Sequence, residues 1–556
     1  MSWKNYAEPA VIADVATERD LRGLMATVVA CTLVFALTAC LRFLALVGFT
    51  NDQYTTLAAA QQMLFGEWPT RDFVDFGAPL AYATSAAAQL VFGRNLFAEA
   101  ILTAAAFALA ATLTVVAARR LSGSIIVAIV AALVEVAIFP RGYAYPKVLL
   151  YAAAPLLIWW YQDAPSSPVR MALLAVFVQI AFLFRHDHGL FIGAGAAVAA
   201  ALGDGCPEWR RGARKRAATF SLLALAAALP YAVYVSVNGG LLRYVAGSIG
   251  YSAAEAADND LIVPPFGLTL GVHRNSEAFL FYLFYLLPVI AAVVLYVTRE
   301  RRDRAFAHVV PLVVIALLAD RGFLRDYLET RLADAIVMPV LLLAWLCAQT
   351  ERVAVPHRRA AARACAAVTA LVGVFTVATV GDTAEQLNRA SLFGGLRRMP
   401  ERFVERSEEL HERFNIRQVP AGPVPALELF FDYVDRCTTR DERLLLPGFI
   451  PEVAVYAQRP FAGGRSTILP GYIDTTGERQ RLVARIAMQK VPFVVVTGKF
   501  KDPVWRAYPE LAAYVGQHYR QLVTYGPKGD RMVEVYVNHT LRSTSVDAAT
   551  GWPCFR

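Results

Sequence analysis

Charge is what this sequence has least of. Only 18% of its 556 residues are Asp, Glu, Lys or Arg, while 57% are hydrophobic, and the mean hydropathy is +0.43. Soluble domains carry about 25% charged residues, so the composition excludes an ordinary soluble enzyme and marks an integral membrane protein. Other absences narrow the reading. No glycine-rich nucleotide-binding loop is present, since Gly239-Gly240 and Gly463-Gly464 are isolated turn signals. No solenoid period or low-complexity tract stands out. The first 20 residues mix Lys4, Glu8, Asp14, Glu18, Arg19 and Asp20 and lack a short apolar core before a small-residue cleavage site. A removable signal peptide is therefore not expected, and the first span is expected to stay as an anchor.

What is abundant is apolar sequence in runs near the roughly 20 residues a helix needs to cross a bilayer. Spans are predicted at 23–49, 97–118, 123–140, 147–162, 170–184, 189–203, 217–237, 277–298, 305–319, 332–350 and 364–381. The net charge of +9 is not a nucleic-acid patch. It sits in short clusters between spans, at Arg119-Arg120, Arg210-Arg211, Arg214-Lys215-Arg216, Arg301-Arg302 and Arg358-Arg359, and all of these fall on one side. By the positive-inside bias, residues 1–22 are inside and everything after about residue 381 is outside. The external segments then hold the acids Asp52, Asp72, Asp75, Asp187, Asp320 and Asp326.

The expected organisation is a transmembrane domain over 23–381 with an external loop at 50–96, an amphipathic connector over 382–424, and an external α/β domain over 425–556. Within the loop, Ala78 to Phe92 is too short to span and is read as an interfacial helix. The tail switches to short apolar runs near 443–446, 492–496 and 532–537, with helices expected at 476–489 and 508–520. Of seven cysteines, Cys437 and Cys554 are the two placed outside, where an oxidising compartment would let them pair or leave them apart. Glu135, within an apolar span, is either the mark of a transport pathway or, as the preferred reading, close enough to the outer end to reach the interface. Asn538-His539-Thr540 matches a glycosylation acceptor only as a weak three-residue pattern.

Past the first span the sequence reads Thr50-Asn51-Asp52-Gln53-Tyr54, then Gly66-Glu67-Trp68-Pro69-Thr70-Arg71-Asp72-Phe73 and Gly77-Ala78-Pro79-Leu80. This resembles the first external loop of the GT-C glycosyltransferases, and the resemblance extends over roughly residues 20–380. It implies a GT-C-like helical membrane fold of about eleven spans and an inverting transfer of sugar from a polyprenyl-phosphate donor. The acceptor would be a hydroxyl on a glycan, lipid or protein, at the outer face of a bacterial inner membrane. Asp52 would be the general base, with helix capping by Thr50, Asn51 and Asp52 as the plainer alternative. Asn51 stands where the family often has a second acid, so no cofactor is assigned and a divalent cation stays an open alternative.

Asp72 and Asp75 are candidate second acids, or else surface charge and caps before Pro79. Lys147, where some relatives carry an acid, is a candidate phosphate contact or a snorkelling anchor. In Arg185-His186-Asp187-His188-Gly189, Arg185 is the preferred phosphate contact, with His186 and His188 beside it. A metal held by this tight run is disfavoured by spacing. Arg274, in a long loop over 238–276 of lid length, and Arg321, Arg325 and Arg331 in the last external turn complete the phosphate candidates. The rival readings are a polytopic transporter or flippase, for which no repeated halves are seen, and a polymerase or ligase using lipid-diphosphate glycans.

Overall fold

The computed structural model describes residues 10–46, 48–203, 212–257, 264–265, 267, 269–298, 304–325, 329–353, 355–392, 396–412, 427–473 and 475–556. The chain opens with α1 (Ala10–Leu44), α2 (Asn51–Leu64), α3 (Pro79–Phe92), α4 (Leu96–Ser122), α5 (Ile125–Ala137), α6 (Tyr145–Gln162), α7 (Pro168–Phe184) and α8 (His186–Leu202). It continues with α9 (Ala213–Asn238), α10 (Leu241–Ala257), α11 (Val272–Val297), α12 (Arg304–Arg325), α13 (Glu329–Ala335), α14 (Val337–Glu351) and α15 (Pro356–Val380). Helices thus cover each predicted span. Five, in α1, α4, α9, α11 and α15, are long and apolar enough to cross a membrane by length and composition. The fold is that of a polytopic helical membrane protein.

α4 is the hub of this bundle. Its apolar window is 61% buried inside the protein, against 11% for α9 and 17% for α1. The reason lies in its sequence: Ala104, Ala108, Ala110, Ala111, Ala117 and Ala118 are buried alanines, which let neighbouring backbones approach closely where lipid gives no hydrophobic advantage to packing. Conversely α1 presents Leu24, Met25, Val28 and Leu37 outward, a face suited to lipid.

Three predicted elements are corrected. The span over 332–350 is broken into α13 and α14, because Pro339 has no N–H and its ring clashes with the carbonyl four residues back, at Ala335, where α13 stops. The loop over 238–276 is not all loop: α10 occupies its first half, and residues 258–263, 266 and 268 lie outside the described residues. Leu242, Val245 and Ile249 form an exposed apolar stripe along α10, at the helical spacing of an interfacial helix. Finally, Glu135 does not reach the interface. It is buried, 3% exposed, in the same interior region as the buried Arg42, whose guanidinium lies over the Phe107 and Phe139 rings and donates to the Val136 carbonyl.

After α16 (Thr383–Arg389) and α17 (Met399–His411), the described part of the expected connector, residues 413–426 lie outside the described set. The tail then forms α18 (Glu428–Cys437), β1 (Leu444–Leu445), α19 (Glu452–Ala457), α20 (Thr476–Ala487), β2 (Phe493–Thr497), α21 (Gly498–Ala507), α22 (Pro509–His518), β3 (Tyr519–Tyr525), β4 (Val533–Asn538), β5 (Ser545–Val546) and β6 (Pro553–Cys554). The main sheet runs β1-β2-β4-β3, with β1 parallel to β2 and the other pairs antiparallel. All of Phe493–Thr497 is buried, as the continuous apolar run requires of a strand covered on both faces. The expected helix over 508–520 stops at His518, where Tyr519 enters β3. Cys437 and Cys554 are joined in a disulfide. Asn538 is buried, its side-chain carbonyl taking the Thr540 N–H at 2.9 Å, so it closes a turn rather than offering a glycosylation acceptor.

One apolar core runs across the boundary between bundle and tail. Phe43, Tyr54, Phe73 and Tyr82 share it with Phe430, Tyr456 and Phe461. The Tyr54 and Tyr456 hydroxyls are 2.6 Å apart, Gln61 donates to the Ala454 carbonyl at 3.2 Å, and Arg443 pairs with Glu67. The tail is therefore seated directly on the loop over residues 50–96.

Candidate active site

Asp52 stands in the first turn of α2, where a negative charge is favoured by the helix dipole. Thr50 is the N-cap residue, and no side-chain cap bond is made there, so capping does not account for the carboxylate. Asp52 is exposed and lines a cavity of about 330 Å³; among the described residues it has no hydrogen-bond or ion-pair partner. Its neighbours are not so free. Gln53 donates to the buried Glu99, which also accepts from Ser85 at 2.5 Å, and Gln62 accepts from the Phe461 N–H at 3.1 Å. The helix is clamped from the bundle below and the tail above, leaving one carboxylate open to the cavity.

That cavity collects cations from four separate elements. Arg141 comes from the α5–α6 connection, Lys147 from the first turn of α6, Arg185 from the α7–α8 turn and Arg331 from α13; against them stand the two carboxylates Asp52 and Asp334. Lys147 is buried, 3% exposed, and ion-paired with Asp334, so it is a wall residue and not a snorkelling anchor. The second Asp334 oxygen and the Arg331 Nε are buried with no partner among the described residues, which leaves polar capacity unused beside the cavity. Tyr82, Phe76 and Phe184 supply apolar wall, and Phe449, Thr467, Leu469 and Tyr472 of the tail roof it.

A larger cavity of about 460 Å³ adjoins it, with Phe76, Arg185 and Tyr472 in both walls. Here the α7–α8 turn is held by the loop over residues 50–96: the His186 N–H donates to the Gly77 carbonyl at 3.2 Å. Arg185 donates to Asp187 at 3.2 Å, and Asp187 also accepts the His188 N–H at 2.9 Å. Burial alone would raise the Asp187 carboxyl, but Arg185, His188 and Lys147 outweigh it and hold the group below the usual carboxylate range. Burial pushes His188 down to about 4 against the pull of Asp187, and it lowers His186 as well.

The remaining candidates separate. Asp75 lines the larger cavity with its carboxylate already taken: it accepts from the N–H groups of Gly77 at 2.8 Å and Ala78 at 3.1 Å, and from the hydroxyls of Tyr231 and Tyr244, each at 2.7 Å. Asp72 lines neither cavity among the described residues; it accepts the Trp68 N–H at 2.8 Å and the Arg71 Nε–H at 2.7 Å, which makes it a turn-forming residue. His186 lines the larger cavity and approaches Tyr244 at 3.2 Å, whereas His188 is turned to the Tyr151 hydroxyl and lines neither. Arg274 and Arg321 are exposed and line neither cavity, while the side chain of Arg325, and Asp326 and Tyr327 entirely, lie outside the described residues.

Among the described residues, no three of the candidate His and Asp residues near the cavities converge on one point. Among the described residues the one group with ligand spacing is Cys437, Asp547 and Cys554, and two of these form the disulfide. Sequence reasoning missed Arg141 and Asp334. Both had a signal: Arg141 is a charge just past a span, and Asp334 is an acid near the start of one. The roof residues had none, since nothing local ties Phe449 or Tyr472 to Asp52.

No protein-family profile matches the chain, and no curated relative matches it. Its structure is similar to that of an oligosaccharyltransferase from Archaeoglobus fulgidus, solved with zinc and sulfate, at 14% identity and a TM-score of 0.43 over 91% of this chain and 73% of the other. It is also similar to ArnT from Cupriavidus metallidurans bound to undecaprenyl phosphate, at 14% identity and a TM-score of 0.46 over 93% of this chain and 98% of that one. The apo form of the same ArnT gives 12% identity and a TM-score of 0.47 over 91% and 97%.

Proposed function

We propose that the chain is a membrane glycosyltransferase of the GT-C kind, which moves one sugar from a polyprenyl-phosphate carrier to an acceptor hydroxyl at the external face. The observation that carries this reading is the smaller cavity itself: one unpartnered carboxylate, Asp52, shares it with four cations. A base and an anion-binding wall in one space are what such a transfer needs. The acceptor oxygen attacks the anomeric carbon and passes its proton to the Asp52 carboxylate. The bond from that carbon to the lipid phosphate breaks, its electron pair leaves on the phosphate oxygen, and the configuration inverts. Lys147 and Arg331 meet the phosphate with the N-terminus of α6 beside them, and Arg185 and Arg141 stabilise the charge that grows on it. The roof of Phe449, Leu469 and Tyr472 keeps water from competing with the acceptor.

The reading is tested with protein purified in detergent, titrated with undecaprenyl phosphate as a carrier without sugar. Saturable binding, weakened about tenfold or more in Arg331→Ala, is expected from the loss of a charged hydrogen bond. Carrier binding that is absent, or indifferent to every cation in this wall, contradicts it.

A further inference from the structure

Apart from the shared Arg185, the larger cavity has no part in the step just described, yet it too carries an excess of positive charge. Five arginines line it against three acids, Asp75, Asp187 and Glu478. Two of those acids are committed, Asp75 to four donors and Asp187 to Arg185 and the His188 N–H. Arg243, on the cavity side of α10, is exposed and has no polar partner among the described residues. Arg485, from α20 in the tail, donates to the Asp72 carbonyl, a contact that fixes its guanidinium without neutralising it. At Gly464 a Cβ would lie 2.7 Å from the Asp72 carbonyl oxygen and 2.6 Å from the Arg485 guanidinium, so the tail backbone closes on the loop only because no side chain intervenes. The Val74 N–H seals this approach with a bond to the Gly464 carbonyl at 2.9 Å.

We infer that this cavity is the acceptor subsite, built jointly by the external loop, α10 and the tail, and that it takes an acceptor carrying a carboxylate or phosphate group. The inference rests on the transferase reading and adds the acceptor's chemical class to it. Arg243 and Arg485, approaching from the bundle and from the tail, grip the anion between them. The reacting hydroxyl then passes the shared wall of Phe76, Arg185 and Tyr472 to reach Asp52. A neutral acceptor would leave the cavity's excess of positive charge unanswered, which makes charge a specificity device as well as a source of affinity.

The test uses saturation-transfer NMR on the detergent-purified full chain with three probes: trigalacturonate, its neutral methyl ester, and mannose 6-phosphate. At least one anionic probe should bind about tenfold or more tightly than the ester, and its identity separates carboxylate from phosphate recognition. Arg243→Glu should erase that preference while leaving undecaprenyl phosphate affinity within about twofold; Arg243→Lys should retain most of it. Because Arg243 is exposed, the substitution does not threaten folding. Equal binding of all three probes, no binding of any, or a preference unchanged in Arg243→Glu overturns the inference while leaving the carrier reading intact. Loss of carrier binding in Arg243→Glu also overturns it, by assigning this cavity to the donor.

Discussion

Lys147 and Asp334 form a buried ion pair in the wall of the smaller cavity, so a structural and a binding role can be separated by substitution. Buried ion pairs often replace well with apolar residues, whereas removing one partner costs about 3–5 kcal/mol. Lys147→Met alone should therefore lower thermal stability in detergent, and Lys147→Met with Asp334→Leu should recover most of it. Carrier binding should recover in neither. Restored binding in the stable double variant would make the pair structural only. Lys147 was legible in the sequence as a charge opening a span, and so were Asp52 and Arg185, because charge at a membrane edge is rare enough to stand out. Its partner was overlooked 187 residues away. Asp75 was legible as an acid but not as a saturated one, since its two tyrosine partners arrive from α9 and α10, and only the fold brings them to it.

At the scale of elements, the α7–α8 hairpin sets Arg185 and His186 into the cavity walls on a one-residue connection. Arg185 alone, in an extended conformation, joins the two helices. They can lie this close because residue 189 is glycine: a Cβ there would sit 2.2 Å from the Phe182 Cα. The obstacle is backbone, so Gly189→Ala should destabilise by at least the roughly 1–3 kcal/mol typical of overpacking, and it should weaken carrier binding by shifting Arg185. Near-normal stability and binding would show that the hairpin is not a rigid mount.

The same turn predicts a pH dependence. The folded His188 value of about 4 lies below the roughly 6.5 of a free histidine, and His186 is lowered too. Between these values the unfolded chain binds more protons than the folded one, so stability is full above about pH 6.5 and is lost as pH falls toward 4. Asp187, held low by its cations, adds a loss below the ordinary carboxylate range. Melting temperature measured from pH 7.5 to 4.5 should fall, and less steeply in His188→Gln; parallel curves for the two proteins would discount the histidine. Helices at the predicted spans were readable from apolar run length, but the break at Ile336 and the helix inside the 238–276 loop needed Pro339 and the α10 stripe to be weighed against neighbours.

For the whole molecule, the seating of the tail on the loop over residues 50–96 ties the tail's side of the membrane to that loop's. It roofs the cavity that contains Asp52, so both belong on one side of the membrane, and the positive-inside bias predicts that this side is external. Alkaline phosphatase fused after Arg556 should be active, and a reporter that matures only in the cytoplasm should stay dark there; the reverse pattern would invert the orientation. The disulfide between residues 117 apart agrees with an oxidising compartment, and Cys437→Ser with Cys554→Ser should cost the tail about 2–5 kcal/mol. None of this seating was visible in the sequence, because the shared core of Phe73, Tyr456 and Phe461 joins segments nearly four hundred residues apart, each of which reads locally as ordinary interior. The central claim is that Asp52 is the base of a sugar transfer from a polyprenyl phosphate. It is tested most directly by measuring, on one preparation of Asp52→Asn, both undecaprenyl phosphate binding and single-turnover transfer from a polyprenyl-phosphate sugar that the parent protein uses. The amide keeps the side-chain shape but cannot take the acceptor's proton. Carrier affinity should stay within about twofold while transfer falls at least a hundredfold, the range expected for loss of a general base; transfer at the parent rate would contradict the account.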